Sequence, residues 1–343
     1  MKGTKTEKLN LDSSGYFLGR EEGCLFIRDF KGNKRRFPLN LNTIGQIEIR
    51  SGNAVSSGAL VTCCYFGIDL IVETARGHAV GVLVGLDNSS HVLNRLAQYE
   101  AFASKRSFDI AKAFLIGKLK GQDCLLSKYG LRRLDPFCYE QVKNAEAKSL
   151  SSLRHTLTNI EGRCAYQYFQ QVFSLLPEFL RPKNRTTFKA YDRTNNLLDL
   201  AYTVLSWHVH VALIKAKLEP FHGFLHSVQF GKPSLVCDFM EIYRYLIDDF
   251  IFGFCKDLSE KNFVLKEEAF SNSRKGKRQY LNKVTNDEFL KSLSLFFRSK
   301  VEIPRIKVGK RQEVETLISE EALLFAKYLR EEIPAWNPRL PTV

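Results

Sequence analysis

Apolar and polar residues alternate in short runs over about the first 85 residues, then take up a helical spacing that lasts nearly to the end of the chain. In the first part, the runs at 24–28 and 34–39 flank the turn-rich Asp29-Phe-Lys-Gly-Asn33, which predicts a hairpin. Further short apolar runs at 46–49, 68–72 and 79–84, the last entered through Arg76-Gly77, predict more strands. The stretch 57–66 predicts one short helix. About five short strands in this space suggest a small sandwich-like or curled sheet domain.

From His91 onward Leu93, Leu96, Ala97 and Ala101 fall on one helical face. Long helical patterns follow, predicting helices at about 91–119, 138–175, 195–217, 234–256, 285–298 and 319–332. The expected architecture is α+β: an N-terminal β-rich domain at 1–86, a linker at 87–92 with Ser89 or Ser90 as N-cap, and a larger all-α domain at 93–343. The sequence has no internal repeat, low-complexity tract or sustained heptad.

Composition adds the sign of the charge. Lys and Arg number 51 against 37 Asp and Glu, a formal charge of +14, which points to an anionic partner: nucleic acid first, an acidic membrane surface second. The eight cysteines contain no C-x-x-C pair, so buried thiols in a reducing compartment are expected, without zinc. The start of the chain is polar and unlike a secretory signal. The stretch 59–72 is interrupted by Thr62, Gly67 and Asp69 and is shorter than the roughly 20 residues a bilayer requires. A soluble, cytoplasmic protein that does not engage the membrane is expected.

Candidate chemistry gathers in two places. Glu161 projects from an apolar helical stripe of Leu150, Leu153, Leu157, Ile160, Cys164, Ala165 and Tyr168, where a carboxylate costs several kcal/mol unless a cation or hydrogen bonds compensate it. That leaves two readings, a Glu paired with Arg or Lys, or a metal ligand or catalytic group. The second place is Leu218-Glu-Pro-Phe-His-Gly-Phe-Leu-His226, followed by a helix with Asp238 and Glu241 on one flank of its core stripe. Pro220 and Gly223 argue against a zinc helix through His222 and His226. Oxygen donors with one imidazole suit Mg²⁺ or Mn²⁺, which activate phosphodiester oxygens. Neither G-x-x-x-x-G-K-[ST] nor a helix-opening G-x-G-x-x-G is present, so ATP hydrolysis and dinucleotide redox chemistry have no support.

At these residues the sequence resembles the CRISPR-associated adaptation integrases, metal-dependent nucleases that insert new spacers into CRISPR arrays. Glu161-Gly162, Ala165 and Tyr168-Phe169 resemble the family's E-G-x-x-A-x-x-Y-F block. Arg185, Asp192, Asn195, Leu198 and Tyr202 fit the next, and Pro220, Gly223-Phe-Leu-His226, Asp238, Glu241 and Arg244 fit the strongest. Lys217 stands where glycine is usual. The resemblance implies that Glu161, His226 and Asp238 hold Mg²⁺ or Mn²⁺, and that Glu241 is an outer ligand or orients Arg244. It also implies that the chain is a homodimer through its β domain, and that two such dimers flank a dimer of a small second adaptation subunit in a heterohexamer. The reaction implied is transesterification, without ATP, joining the 3′-hydroxyls of spacer DNA to the CRISPR repeat. Arg181, Lys183, Arg185, Lys189, Arg193, Arg244, Arg274, Lys275, Lys277 and Arg278 would contact the phosphates of double-stranded DNA.

Two other readings remain. A transposon-encoded integrase of the same fold often adds a C-terminal helix-turn-helix, for which the roughly thirty residues after Arg311 are too few. A metal-free DNA-binding scaffold would have no use for the acidic set at 161, 238 and 241.

Overall fold

The computed structural model describes residues 7–41, 43–75, 77, 79–85, 90–187, 191–271, 274–302 and 311–342. It forms two compact units, the first ending at His91 and the second beginning at Val92. Residues 87–89 of the expected linker, Ser89 among them, lie outside the described residues.

The first unit contains β1 (Glu7–Leu11), β2 (Phe17–Glu21), β3 (Cys24–Arg28), β4 (Lys34–Pro38), β5 (Ile44–Arg50), β6 (Ala54–Val55), α1 (Ser57–Phe66), β7 (Asp69–Glu73) and β8 (Ala79–Leu83). Its two four-stranded sheets run in the orders β1-β5-β7-β8 and β4-β3-β2-β6. Leu9, Leu18, Leu25, Phe37, Ile47, Ala59, Cys63 and Leu70, drawn from both sheets and α1, share one core. The expected hairpin is β3–β4, its turn held by Asp29, whose carboxylate accepts from the backbone N–H groups of Lys31 and Asn33. The expected short helix is α1, capped by Ser56 and closed by Gly67 at φ 60°. Strands β1 and β2 were not foreseen, because each sets only two apolar residues among Glu, Lys, Asn, Gly and Arg.

The second unit is mainly helical: α2 (Ser90–Ala103), α3 (Arg106–Lys128), α4 (Pro136–Lys143), α5 (Leu150–Val172), α6 (Arg193–Lys215), α7 (Ser234–Phe254), a hairpin β9 (Phe263–Ser271) and β10 (Arg274–Leu281), α8 (Lys283–Phe297), a short ribbon β11 (Lys300–Glu302) and β12 (Arg311–Glu313), and α9 (Val314–Leu329). Two expected helices are each split. Ser104 separates α2 from α3, and Ser149, in a capping box with Ser152, starts α5 afresh after α4. The two hairpins break the expected run of helices. In β9–β10, Glu and Lys partly mask the strand alternation.

Helix α7 is the spine of the unit. Leu235, Phe239, Ile242, Leu246 and Phe252 are buried along it, and it packs against α3 and α6. Among the described residues, α6 alone is long and apolar enough to cross a membrane. Here it is a core helix, with Leu198, Leu205, Val209 and Leu213 buried in the helical core. Lys217, just beyond α6, has φ 62°, a left-handed conformation that costs a side chain but not glycine, in accord with the glycine usual at that place.

The last described residues run back over α3, α7 and α9. Trp336 sits among Phe114, Phe239 and Phe325 and donates to Glu321 at 2.7 Å, while Arg339 donates to the other Glu321 oxygen. Trp336→Ala is expected to cost about 3–5 kcal/mol, because it opens a cavity and strips one hydrogen bond from a fully buried carboxylate. Urea denaturation measures the loss.

Candidate metal centre

Helices α3, α5 and α7 and the loop between α6 and α7 bring the site together. The loop is tied to the start of α7. Ser234 Oγ accepts from Gly223 N at 2.9 Å and donates to the Phe221 carbonyl, and Arg154 donates to the carbonyls of Gly223 and Phe224. Any larger residue at 223 would place its Cβ 2.6 Å from the Ser234 backbone and 2.8 Å from Asp238, so glycine is required by the close approach.

Asp238 is fully buried and already satisfied. One carboxylate oxygen accepts from Phe224 N at 2.6 Å and Leu225 N at 3.0 Å, and the other from His226 N at 2.7 Å and His226 Nδ1 at 2.8 Å. That acceptor assigns the proton to Nδ1 and leaves His226 Nε2 as the outward nitrogen, 4.0 Å from Glu241 Oε1. Burial opposes protonation of His226, but the hydrogen bond to Asp238 and the charges of Asp238, Glu241 and Glu161 outweigh it and raise its pKa.

Glu241 is 3% exposed and faces three cationic or polar groups: Lys118 Nζ at 2.7 Å, Arg244 Nε at 3.0 Å and the His226 ring. The Lys118 and Arg244 contacts are ion pairs without hydrogen-bond alignment, so Oε2 has no aligned donor. Burial alone would raise its pKa; the charges of Arg244, Lys118 and His226 prevail and hold it down to about 2. Lys118, 9% exposed, bridges from Glu241 to Glu161 Oε1. Burial disfavours its charge, and the two carboxylates reverse the effect and raise its pKa.

The structure therefore brings together Glu161, Glu241 and the His226 Nε2 edge, and sets Asp238 behind His226 as the group that orients it. Among the described residues no three His, Cys, Asp or Glu side chains converge as a ready-made cage, and the Lys118 ammonium lies between the two glutamates. The donor set still fits a small hard divalent cation. Two carboxylates share the Lys118 ammonium, Glu241 Oε2 lacks an aligned donor, and the His226 Nε2 nitrogen stands 4.0 Å from the other Glu241 oxygen.

Comparison with known proteins follows the same residues. The family model described as "CRISPR associated protein Cas1" matches residues 9–286, which include every residue named at this site. The chain belongs to the Cas1 family. It is 28% identical over 282 residues to the CRISPR-associated endonuclease Cas1 of Korarchaeum cryptofilum (strain OPF8), covering 77% of this chain and 82% of that protein. Among solved structures it is similar to a "Casposase bound to integration product" (TM-score 0.71, 19% identity, 97% of this chain and 98% of the other) and to a "Partial Cas6-RT-Cas1--Cas2 complex" (TM-score 0.71, 18% identity, 95% and 96%). At these identities the two structures establish the fold alone.

In this Cas1 chain most of the arginines expected on DNA are engaged internally. Arg181 donates to the carbonyls of Leu176 and Ser174. Arg185 binds Asp199 and Asn195, Arg193 donates to the Phe179 carbonyl, Arg244 pairs with Glu241, and Arg278 joins Glu268 to Asn196. Lys183 and Lys277 are exposed. Lys189 and the side chains of Arg274 and Lys275 lie outside the described residues. His222 packs against Tyr99 and Phe102, and burial, then the Arg154 charge, lowers its pKa, as for a core histidine.

The sequence reading missed Lys118. Its signal was a lysine in the stripe Ile110, Phe114, Gln122 and Leu125, at helical spacing. Also missed was Asp248, which accepts from Tyr168 and Tyr202 beneath Arg244. Burial pushes its pKa up to about 6, although the tyrosine hydrogen bonds and the charges of Arg185 and Arg244 pull the other way. Because the folded-state value lies above the unfolded one, its contribution is full below about pH 4 and is lost as pH rises through 6. Between pH 4 and 7 the wild type is expected to lose on the order of 3 kcal/mol more stability than Asp248→Asn. Paired urea titrations across that range read the difference.

Proposed function

We propose that the chain is a divalent-metal-dependent DNA endonuclease and integrase of CRISPR adaptation, which joins the 3′-hydroxyl ends of spacer DNA to the CRISPR repeat by transesterification without ATP. The observation that carries this reading is that Glu161 and Glu241 share one cationic position, with His226 Nε2 4.0 Å from Glu241, in a Cas1 chain. Glu161, His226 and Glu241 would hold Mg²⁺ or Mn²⁺. Asp238, expected from the sequence resemblance to be a ligand, would instead hold the imidazole in register, since its lone pairs are spent on three backbone N–H groups and Nδ1. Bound there, the metal would neutralise charge at the scissile phosphate and promote attack by the 3′-hydroxyl. Arg244, pinned by Glu241 and lying 4.5 Å from the Tyr202 ring centroid, supplies a fixed positive charge beside the same point.

The partners follow the same reading. The solved relatives include one bound to an integration product and one in a Cas1–Cas2 complex. For this chain we infer double-stranded DNA, a homodimer, and a small second adaptation subunit completing a heterohexamer. Lys183 and Lys277, both exposed, are candidates for phosphate contact. A transposon-encoded integrase is the weaker alternative, because the casposase likeness rests on fold while the family model is that of Cas1. The test is incorporation of a short duplex into a supercoiled plasmid carrying a repeat, with Mn²⁺ or with EDTA. Joining is expected with Mn²⁺ and a free 3′-hydroxyl, and none with EDTA or 3′-deoxy ends. DNA binding without any metal-dependent joining or cleavage would favour the scaffold reading.

A further inference from the structure

We propose that Lys118 is an intramolecular stand-in for the divalent cation, a positioning residue that holds Glu161 and Glu241 in the metal-free chain and must release both for the metal to bind. This rests on the metal-dependent reading above and goes beyond it, because it assigns an internal competitor to the site.

Lys118 lies in the middle of α3, on the face that packs against α5 and α7, where lysine is rarely left. Its side chain crosses to Glu161 on α5 and Glu241 on α7, at 2.7 Å from Glu241 Oε2. Without a cation between them, two half-buried or buried carboxylates facing one point would repel, and each would keep an unpaid desolvation penalty. The ammonium removes that penalty and fixes the spacing of the two carboxylates before any metal arrives.

The same arrangement limits metal binding. Mg²⁺ takes oxygen ligands at about 2.0–2.1 Å, so an ion on these oxygens would stand within a few ångströms of the ammonium, and the two cations would repel. Glu161 and Glu241 therefore serve one or the other. The apparent metal affinity would then be the intrinsic affinity multiplied by the fraction of chains in which Lys118 has withdrawn. Removing its charge removes that reduction.

The measurement is Mn²⁺ titration calorimetry on wild type, Lys118→Met and Lys118→Gln, with melting temperature recorded in EDTA and in saturating Mn²⁺. The neutral variants are expected to bind Mn²⁺ on the order of tenfold more tightly. They are expected to melt lower than wild type in EDTA, with the gap narrowing in Mn²⁺. Glutamine serves if methionine does not fold beside the carboxylates. Unchanged or weaker Mn²⁺ binding by the folded variants, with wild type binding normally, would mean that Lys118 is a structural or supporting group and would overturn the inference. Failure of wild type itself to bind Mn²⁺ would overturn the underlying metal reading as well.

Discussion

Glu241→Gln is expected to abolish metal-dependent DNA joining and cleavage, with rates down on the order of a thousandfold or more. The substitution keeps the shape of the side chain and removes one of the two carboxylates facing the cationic position. It also leaves the charges of Lys118 and Arg244 with one fewer partner in a buried setting, so the melting temperature should fall. A joining assay on a supercoiled repeat plasmid, run at a temperature where circular dichroism reports the variant folded, separates the two effects. Joining at the wild-type rate would remove Glu241 from the site.

Asp238→Asn is expected to act differently, as a loss of stability and of histidine alignment. An amide in place of either oxygen turns a donor toward backbone N–H groups or toward His226 Nδ1, where the carboxylate accepts four hydrogen bonds. Each buried donor left without an acceptor costs about 1–3 kcal/mol, so a total of several kcal/mol is expected by urea denaturation. Metal affinity and joining should fall about 10- to 100-fold, the range typical of residues that orient a ligand. Unchanged stability would show that the loop from Phe224 to His226 does not depend on Asp238.

Much of this was legible in the sequence. The hairpin and α1 of the first unit, the core helices and the acidic character around Glu161 followed from apolar spacing and turn residues. The strands β1 and β2 escaped because their apolar content is small, and the β9–β10 hairpin because charged residues crowd its alternation. The proposed division of labour between Asp238 and Glu241 could not be read from a spacing of three on one flank. It depends on where the loop's backbone N–H groups point, and Gly223 sets that by letting the loop touch the start of α7. For the same reason, net positive charge does not show which cations are already held within the chain. Arg185, Arg193 and Arg278 look like a basic track in sequence, yet each is bound to carbonyls, carboxylates or amides of its own chain. Lys118 was hidden because a lysine 43 positions away from Glu161 shows no pairing until α3 and α5 are packed together.

The most direct measurement is Mn²⁺ titration of wild type, Glu161→Gln, Glu241→Gln and Asp238→Asn by calorimetry or electron paramagnetic resonance, each confirmed folded at the temperature used. The site as described requires Mn²⁺ binding by wild type, loss of at least about a hundredfold in affinity on removing either glutamate carboxylate, and a smaller loss for Asp238→Asn. Wild-type affinity in Glu241→Gln together with abolished binding in Asp238→Asn would contradict it, and would return the ligand role to Asp238.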